Sequence, residues 1–554
     1  MKRLLSASFL ILFAASFIFL HDGCARPQNK TVKNVILLIP DGTSLASVST
    51  ARWFQHYLNP DATRLNIDPY LCGTILTFCS NAPIGDSAPT TSCYMTGYPS
   101  RAGYVSTYPV ADPANDILPM DSLKAYQPLI TLLEAARIAQ HKSTGLVFTC
   151  EFPHATPADC SAHSYRRDRY GWIAPQIVHN QIDVVIGGGV SLLNDENKRF
   201  LQNEGYGLFL NDINGFRNYS GDKMWALFAD KDMAYDIDRN PEQEPSLAEM
   251  TKIAIDKLSR NKNGFFLMVE GSKIDWAAHA NDARAIISDV LAFDKACGEA
   301  FRFAESDGET LVVVVPDHGN SGISIGSNKC PGYSTLTKDQ LFGNVAKFKT
   351  SVDALIRVLH DTPPDGLRQT VLELTGIALT DEEYQLLLQT ADYHLSALSD
   401  EERMKGSKLT KEVAKILDKY TCFGFTTTGH TGEEVFLAVY DPRPGGRMTG
   451  FHTNVELNHY IRNAMGLEKQ FESLTGEYFA KHTDVFKNYT FTVDTLSDNP
   501  VLTVKNKETT LEIHPNTNIA KCNGKELKLN SVVVYVDKNN TFYLPKSMEK
   551  LLMR

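Results

Sequence analysis

Three aliphatic runs constrain the fold more than any other feature of this sequence. They span 32–40 (VKNVILLIP), 264–269 (GFFLMV) and 311–316 (LVVVVP). Uninterrupted runs of this kind are typical of strands buried on both faces of a mainly parallel sheet. Helical stretches at 129–139 and 282–304 alternate with them. We therefore predict an α/β fold, a three-layer sandwich around a central, mostly parallel sheet.

Polar residues follow each of these runs and predict a functional site. Asp41 follows the first run, Glu270 the second, and Asp317 and His318 the third. Ligands of open α/β sheets bind beside the carboxyl ends of the strands. We therefore expect the three clusters to converge on one cleft.

Composition changes along the chain predict two additions to this core. Residues 331–420 carry amphipathic segments rich in Leu, Glu and Lys, which indicate a helical insertion in a catalytic domain spanning 32–484. From 488 to 554 short strands follow, with a hairpin turn at Asn523-Gly524 and a last helix after Pro545. This small C-terminal α+β module weakly resembles a domain found at the N-terminus of some copper amine oxidases. We expect it to serve packing or adhesion rather than chemistry.

Residues 1–25 are typical of a secretory signal peptide. A basic start precedes an uncharged apolar run, and Gly23 and Ala25 fit cleavage after Ala25. A lipid anchor at Cys24 and an uncleaved anchor are the alternatives, although the run is short for a membrane span. In each case we expect an exported protein, secreted or periplasmic, or held at the cell surface if Cys24 is lipidated.

Charge and cysteine spacing argue against two classes of site. A formal net charge of -10 and a pI near 5.9 leave no polybasic surface, so no nucleic-acid binding is expected. The cysteines lack paired CxxC spacing, so no thiolate zinc site is indicated. Some of them are expected to form disulfides in an oxidising compartment, but the sequence leaves their pairing open.

Ser87 lies in the segment 85–92 (GDSAPTTS), which predicts the start of a helix. Pro89 suits the first turn, and a helix N-terminus attracts phosphate through its free N–H groups and its dipole. No GxSxG segment surrounds Ser87 to imply a Ser/His/Asp triad. A simple helix N-cap is the alternative for this segment alone. The carboxylate and histidine clusters elsewhere favour a nucleophile instead.

The spacing of histidines and carboxylates predicts metal binding. Asp275 and His279 are four residues apart at a helix start and share one face. Glu270, five residues before Asp275, is free to bind a different ion. Asp317 and His318 can flank one ion if the backbone turns after them. Mixed ligation of this kind suits zinc, with a hard-oxygen site for magnesium.

These motifs, in their order along the chain, resemble the alkaline phosphatase family from residue 34 to about 467. The matching segments are Asp41 in IPDG, Asp86-Ser87-Ala88 with Thr96-Gly97, His154-Ala155-Thr156-Pro157-Ala158, Ala162-His163 with a following arginine, Asp183-Val184-Val185-Ile186-Gly187-Gly188-Gly189, and His430-Thr431-Gly432. Family spacing selects Arg167 as that arginine, with Arg166 as the alternative. The helical insertion and the C-terminal module lie outside the resemblance.

The resemblance implies a metal-dependent phosphomonoesterase that binds two zinc ions (Zn2+) and one magnesium ion (Mg2+). The implied ligands are Asp275, His279 and His430 for one zinc, Asp41, Asp317, His318 and the Ser87 oxygen for the second, and Asp41, Thr156 and Glu270 for magnesium. The implied reaction is hydrolysis of small phosphate monoesters through a phosphoserine at Ser87, with release of inorganic phosphate. Arg167 would bind two nonbridging phosphate oxygens in bidentate fashion. Family habit also implies a homodimer.

Two positions vary in the family and bear on the third metal site. His154 stands where some members carry Asp, and Trp276 stands where others carry Lys or His. We expect both to lie in the surroundings of the metals rather than to bind zinc. A core histidine satisfied by hydrogen bonds is the alternative for His154, and it is the interpretation we prefer for His163.

Related enzymes with the same metal scaffold cleave phosphodiesters or sulfate esters, so the substrate class has alternatives. Residues 87–90 resemble the start of a sulfatase signature, but that signature requires Arg where this chain has Thr91. Arg167 and the complete set of ligand positions favour monoesters. An inactive, metal-holding binding protein displayed at the surface is the remaining alternative, and no ligand is missing to support it.

Overall fold

The computed structural model describes residues 31–390, 408–496 and 499–553. Its strands, in chain order, are β1 (Asn34–Ile39), β2 (Leu71–Leu76), β3 (Ser143–Glu151), β4 (Val184–Gly188), β5 (Gly207–Leu210), β6 (Met224–Leu227), β7 (Phe265–Glu270), β8 (Thr310–Val314), β9 (Gly319–Asn320), β10 (Ser324–Ile325), β11 (Phe423–Gly424), β12 (His430–Thr431), β13 (Val435–Tyr440), β14 (Gly450–Thr453), β15 (Ala480–Lys481), β16 (Thr490–Asp494), β17 (Val501–Lys505), β18 (Thr510–Ile513), β19 (Ile519–Cys522), β20 (Lys525–Lys528), β21 (Val534–Val536) and β22 (Thr541–Leu544).

A ten-stranded sheet forms the centre, in the order β14-β2-β13-β8-β1-β7-β3-β4-β6-β5. β13 runs antiparallel to β2 and β8, and the other neighbours are parallel. The three aliphatic runs form β1, β7 and β8, which are neighbours in the middle of this sheet. Ile39 pairs with Glu270 and Leu38 pairs with Val314, so the carboxyl ends of these strands are level. The predicted fold class is confirmed.

Alternate residues of the central strands build two separate cores. Val35, Leu37 and Ile39 of β1 face one core, whereas Ile36 and Leu38 face the other. This alternation explains why the run is uninterrupted, since both faces of the strand are covered by helices. One face is covered by Ser87–Thr96, Leu132–Gln140, Ala155–Asp159, Tyr170–His179, Asp195–Asn203 and Asn454–Ala464, and the other by Leu45–Leu58, Ile213–Asn218, Leu247–Leu258, Lys273–His279 and Ala283–Asp307.

The helix predicted at 129–139 begins at Leu132, because Thr131 and Glu134 form a capping box that fixes its first turn. The remaining α-helices are Lys338–Phe342, Val352–His360, Leu367–Thr375, Asp381–Thr390, Lys408–Lys419, Phe471–Tyr478 and His482–Val485. The 3-10 helices are Asp68–Tyr70, Ser122–Lys124, Val190–Leu192, Val345–Lys347, Pro364–Gly366, Asp537–Asn539 and Lys546–Leu552.

Residues 331–420 contain helices only, as far as they are described, and these helices form a core of their own. That core packs against Phe54 and Ile287 on the helices of the catalytic domain. A disulfide between Cys330 and Cys422 closes the base of the insertion. Two short antiparallel ladders, β10 with β11 and β9 with β12, pair the segment before the insertion with the segment after it.

The C-terminal region holds a five-stranded antiparallel sheet, β16 to β20, and a three-stranded sheet in the order β15-β22-β21. Asn523 and Gly524 both have positive φ (49° and 77°), as a two-residue hairpin turn requires. The segment after Pro545 is the 3-10 helix Lys546–Leu552. Side chains of β21 and β22 extend the core of the catalytic domain, so the two parts pack continuously. The domain boundary at 484–488 stays a prediction.

Within the described ranges, no helix combines the length and the apolar composition that crossing a membrane requires. The predicted signal peptide (1–25) and Cys24 lie outside the described residues.

Candidate metal centre and nucleophile

The level ends of β1, β7 and β8 bring the predicted acidic clusters together. The Nε2 atom of His318 lies 3.5 Å from Oδ1 of Asp41 and 3.3 Å from Oδ2 of Asp317. Oδ1 of Asp317 accepts backbone N–H bonds from Gly42 and His318, both at 3.0 Å. These bonds hold the carboxylate so that its second oxygen points towards the cluster. Asp41, Glu270, Asp317 and His318 are all fully buried.

Ser87 is the first residue of the helix Ser87–Thr96, as predicted. Its hydroxyl donates to the Asp41 carboxylate at 3.3 Å and lies 3.3 Å from Nε2 of His318. Asp86 occupies the N-cap position, but its side chain makes no capping bond to this helix. Instead, Asp86 accepts a hydrogen bond from Arg167 at 2.7 Å. The geometry therefore differs from that of a simple capping residue.

A second group of ligands forms around Asp275. His279 follows it by one helical turn, and Nε2 of His279 lies 3.3 Å from Oδ2 of Asp275. Nε2 of His430, on β12, lies 3.8 Å from Oδ1 of Asp275 and 3.2 Å from Nε2 of His279. Three side chains from two distant segments thus converge on one point.

Each of the three histidines is oriented by a backbone carbonyl oxygen next to its Nδ1 atom. The pairs are His279 with Thr428 (2.7 Å), His430 with Gly85 (2.9 Å) and His318 with Gly319 (3.1 Å). An Nδ1–H group that donates to a carbonyl leaves Nε2 available as a metal ligand. All three Nε2 atoms face the acidic cluster.

The charges of the Asp275 group compensate one another. Burial works against its ionisation, but His279 and His430 more than offset this and hold the pKa of Asp275 well below its usual value. Burial likewise disfavours a charged His279, yet Asp275 raises the pKa of His279 to about 9. Burial and the neighbouring His318 lower the pKa of His430 to about 4.

The charges around Asp41 do not compensate one another. Burial, followed by the nearby carboxylates of Asp317, Asp275 and Glu270, raises the pKa of Asp41 well above its usual value. Burial also raises the pKa of Glu270 to about 7. Crowded, buried carboxylates of this kind require a positive partner.

Unpaired polar atoms test whether cations fit here. Oδ2 of Asp317, Oε1 of Glu270 and Oγ1 of Thr156 are buried without a hydrogen-bond partner among the described residues. Because buried polar groups are nearly always paired, three such oxygen atoms around one cluster indicate ligands for cations. The residue types match zinc and magnesium. The predicted set therefore fits bound metal ions.

Within the described parts of the chain, three groupings of side chains have ligand atoms close enough to hold an ion. They are Asp275, His279 and His430; Asp41, Asp275 and His318; and Cys150, His154 and Glu270. The first is the set predicted for one zinc. The second grouping shares Asp41 and His318 with the set predicted for the second zinc, but it contains Asp275 instead of Asp317. The third grouping shares Glu270 with the set predicted for magnesium, but it contains Cys150 and His154 instead of Asp41 and Thr156.

The surroundings of Glu270 explain this third grouping. The Sγ atom of Cys150 lies 3.3 Å from Oε2 of Glu270, and the hydroxyl of Ser272 accepts from the backbone N–H of Cys150 at 3.1 Å. Thr156 lies in the helix Ala155–Asp159, which packs against β7. Sequence reasoning missed Cys150, although its position four residues before His154 was visible.

The structure brings Arg167, not Arg166, to the nucleophile. Nη1 of Arg167 donates to Asp86, and Nη2 lies 3.1 Å from Nε2 of His154. Burial and the adjacent Arg167 lower the pKa of His154 to about 3, so His154 is neutral and can accept this bond. Arg166 is exposed and pairs with Asp168.

The other named residues lie around the site. Trp276 is half-buried, with its ring centroid 5.7 Å from that of His154 and 4.4 Å from the Lys273 ammonium group. His163 is buried elsewhere, 3.2 Å from Glu134 Oε1 and 3.0 Å from the carbonyl oxygen of Ser106, as a structural histidine would be.

Asn320 is a supporting residue that sequence reasoning missed. Its Nδ2 donates to Oδ1 of Asp275 at 2.6 Å. Its place two residues after His318, on β9, is the only signal that the sequence offers.

This chain is similar in sequence and in fold to known proteins of one family. A family model described as alkaline phosphatase matches residues 32–467. "Alkaline phosphatase 4" of Bacillus subtilis is 32% identical over 435 residues, covering 76% of this chain and 86% of that protein. The repressible alkaline phosphatase of Saccharomyces cerevisiae is 27% identical over 521 residues, with 83% and 86% covered. A crystal structure of a cold-active alkaline phosphatase from a psychrophilic Shewanella species matches with a TM-score of 0.66 and 26% identity, covering 78% of this chain and 99% of that one.

Proposed function

We propose that this chain, which belongs to the alkaline phosphatase family and is a metal-dependent phosphomonoesterase, works through a phosphoserine formed on Ser87. We propose further that the reaction takes place at a centre of two zinc ions and one magnesium ion. One observation carries the proposal. The Ser87 hydroxyl lies at a helix N-terminus, within 3.3 Å of both Asp41 and His318, with Arg167 held by the neighbouring Asp86.

We propose that one zinc is held by Asp275, His279 and His430, the second by Asp41, Asp317, His318 and Ser87, and magnesium by Asp41, Thr156 and Glu270. The unpaired oxygens of Asp317, Glu270 and Thr156 support this assignment. His154 and Cys150 lie next to the magnesium ligands and would tune that site. Bound zinc lowers the pKa of a coordinated hydroxyl or water and neutralises charge on the transferred phosphoryl group.

The chain's own residues supply the nucleophile and hold the substrate. The Ser87 oxygen gives up its proton and attacks phosphorus, a new O–P bond forms, and the bond from phosphorus to the ester oxygen breaks as that oxygen takes up a proton and leaves as the alcohol. Water then loses a proton and attacks the phosphoserine from the opposite side, and the bond from phosphorus to the Ser87 oxygen breaks, which releases inorganic phosphate and lets Ser87 regain its proton. The free N–H groups at the start of the helix Ser87–Thr96 face the phosphoryl oxygens in both steps.

Arg167 sets the preference for monoesters. Its guanidinium is half-buried and is already fixed on one side by Asp86. A planar guanidinium binds two nonbridging oxygens at once, and a monoester dianion carries one more nonbridging oxygen and one more negative charge than a diester, so its attraction to the cationic site is stronger. Arg167 therefore favours a monoester over a diester.

Hydrolysis of a chromogenic phosphate monoester tests this proposal. We expect the wild type to need zinc and magnesium, and Ser87→Ala to lose about a thousandfold or more in kcat. Ser92→Ala is the matched control, because Ser92 lies on the same helix with a buried hydroxyl that has no partner within the described chain.

A second pair of variants separates the two arginines. We expect Arg167→Ala to raise KM and Arg166→Ala to leave it unchanged. Cleavage of a diester or a sulfate ester in preference to the monoester would overturn the substrate class. Failure to cleave any of them with metals present would favour a metal-holding binding protein.

We also propose that the enzyme is exported and forms a homodimer. The signal-like sequence of residues 1–25 supports export, and family habit supports the dimer. Mass spectrometry of the mature chain distinguishes cleavage after Ala25 from lipidation of Cys24. Light scattering of the purified protein gives its oligomeric state, and a monomeric mass would contradict the dimer.

A further inference from the structure

The C-terminal module contacts the loop that carries Arg167. Asp537 begins the turn Asp537–Asn539 between β21 and β22. Its Oδ1 accepts from the Tyr165 hydroxyl at 2.6 Å, and its Oδ2 accepts from Nη2 of Arg169 at 3.1 Å. One carboxylate thus binds the residues two positions before and two positions after Arg167.

The opposite side of the same loop is held by the catalytic domain. Val105 and Ser164 exchange two backbone hydrogen bonds, at 2.7 and 3.0 Å, and the backbone N–H of Arg167 donates to the Gly103 carbonyl at 2.7 Å. The N–H of Gly103 in turn donates to Asp86 at 3.2 Å. The loop is therefore fixed between the segment 103–105 and the module.

Stacking adds to the contact made by the module. The Arg169 guanidinium lies 4.1 Å from the Trp172 ring and 4.9 Å from the Tyr165 ring. Trp172 also packs against the core of the C-terminal module. Tyr165 is buried, and its hydroxyl reaches Asp537 from inside this packing. The contact is an ordered one that both parts of the chain build.

We propose that Asp537 is a positioning residue for phosphate binding, through which the C-terminal module keeps the Arg167 loop in its binding conformation. The inference rests on the proposed role of Arg167. A loop that is already ordered pays less conformational entropy when phosphate binds, and small displacements of a binding group cost affinity. Asp537 touches no substrate itself.

The test measures KM for a chromogenic monoester and the inhibition constant of inorganic phosphate. We expect Asp537→Ala to raise both about tenfold, with kcat unchanged, because the phosphate-binding group is displaced while the nucleophile is not. Asp537→Glu should restore most of the loss. Tyr165→Phe removes one of the two hydrogen bonds to Asp537 and should raise both constants by a smaller factor. This variant tests the same contact if Asp537→Ala does not fold.

Lys528→Ala is the matched control. Lys528 pairs with Glu204 across the same interface but away from the Arg167 loop. We expect it to lower the unfolding midpoint without changing the phosphate inhibition constant. If Lys528→Ala raised the phosphate inhibition constant as much as Asp537→Ala does, the effect would come from docking of the module in general, and the specific role of Asp537 would be wrong.

Arg167→Ala provides the reference for the whole series. If it raises both constants while Asp537→Ala changes neither, the positioning role is wrong and the proposed function stands. If Arg167→Ala itself changes neither constant, then the role of Arg167 is wrong and the inference falls with it.

Discussion

The inner and outer halves of the metal centre differ in what holds them in place. The inner half consists of Asp41, Ser87, Glu270, Asp317 and His318, all of them at most 2% exposed. The outer half consists of Asp275, His279 and His430, and its two histidine side chains are 25% and 18% exposed. The inner half belongs to the ends of the central strands and to one helix beside them. The outer half depends on a short helix and on β12.

Topology explains this difference. The register of β1, β7 and β8 fixes the inner ligands as soon as the sheet forms. His430 follows the helical insertion in sequence and is brought back by the pairing of β12 with β9. Electrostatics differ too, because the outer half pairs histidines with Asp275, whereas the inner half crowds carboxylates together. We therefore expect the inner half to depend more on its ions and the outer half to lose its ion first.

The largest effect is expected from an inner ligand. Asp317→Asn removes charge from a buried carboxylate whose Oδ1 is held by two backbone N–H groups. We expect kcat to fall about a thousandfold and excess zinc to restore little of it. Activity and metal content by mass spectrometry check this, with Asp365→Asn on the exposed turn Pro364–Gly366 as control. Wild-type activity in Asp317→Asn would contradict the inner assignment.

An outer ligand should give a smaller and reversible loss. His279→Asn leaves Asp275 and His430 in place at a partly exposed position. We expect zinc affinity to fall by more than the roughly 10- to 100-fold that loss of a residue supporting a metal ligand costs, with activity restored at high zinc concentrations. A zinc titration of kcat measures this. An enzyme that stays inactive at saturating zinc would break the distinction between the halves.

The disulfide should affect only the outer half. Replacing Cys330 and Cys422 together with serine frees a loop closed over 92 residues. We expect the free energy of unfolding to fall by about 2–5 kcal/mol, with a smaller loss of zinc affinity than in His279→Asn. Chemical unfolding and a zinc titration check both, with Cys522→Ser in the C-terminal module as control. Equal loss of inner and outer ions would contradict the comparison.

The smallest effect concerns the stability of chelator-treated protein. Glu270, with its pKa raised to about 7, binds more protons in the folded than in the unfolded state. Its contribution is therefore present below its ordinary pKa and lost as the pH rises through about 7. The contribution of His279 is lost as the pH rises through about 9.

Thermal unfolding across this pH range checks both contributions. In the presence of chelator, we expect the unfolding midpoint of the wild type to fall as the pH rises. In Glu270→Gln this fall should be smaller near neutral pH. With zinc and magnesium added, the midpoint should stay constant across the range. The same profile with and without metals would contradict the assigned ligands.

The sequence predicts the inner half well, for a physical reason. Uninterrupted aliphatic runs specify buried strands, and parallel neighbours bring their polar ends to one edge. The helix start at Ser87 follows equally from local residues. These inferences need only short stretches of chain.

Other contacts could not be predicted because they depend on tertiary packing. The pairing of Cys330 with Cys422, the support of Asp275 by Asn320 and the contact of Asp537 with Arg169 join segments that no local pattern relates. The segment after Pro545 was predicted as a helix but not as a 3-10 helix.

Trapping the covalent intermediate tests the central claim most directly. Enzyme quenched in acid during turnover of a phosphate monoester is digested, and the peptide containing Ser87 is analysed by mass spectrometry. We predict that wild type and Ser92→Ala carry one phosphoryl group on Ser87 and that Ser87→Ala carries none. Active enzyme with no phosphate on this peptide, or with phosphate on another residue, would contradict the account.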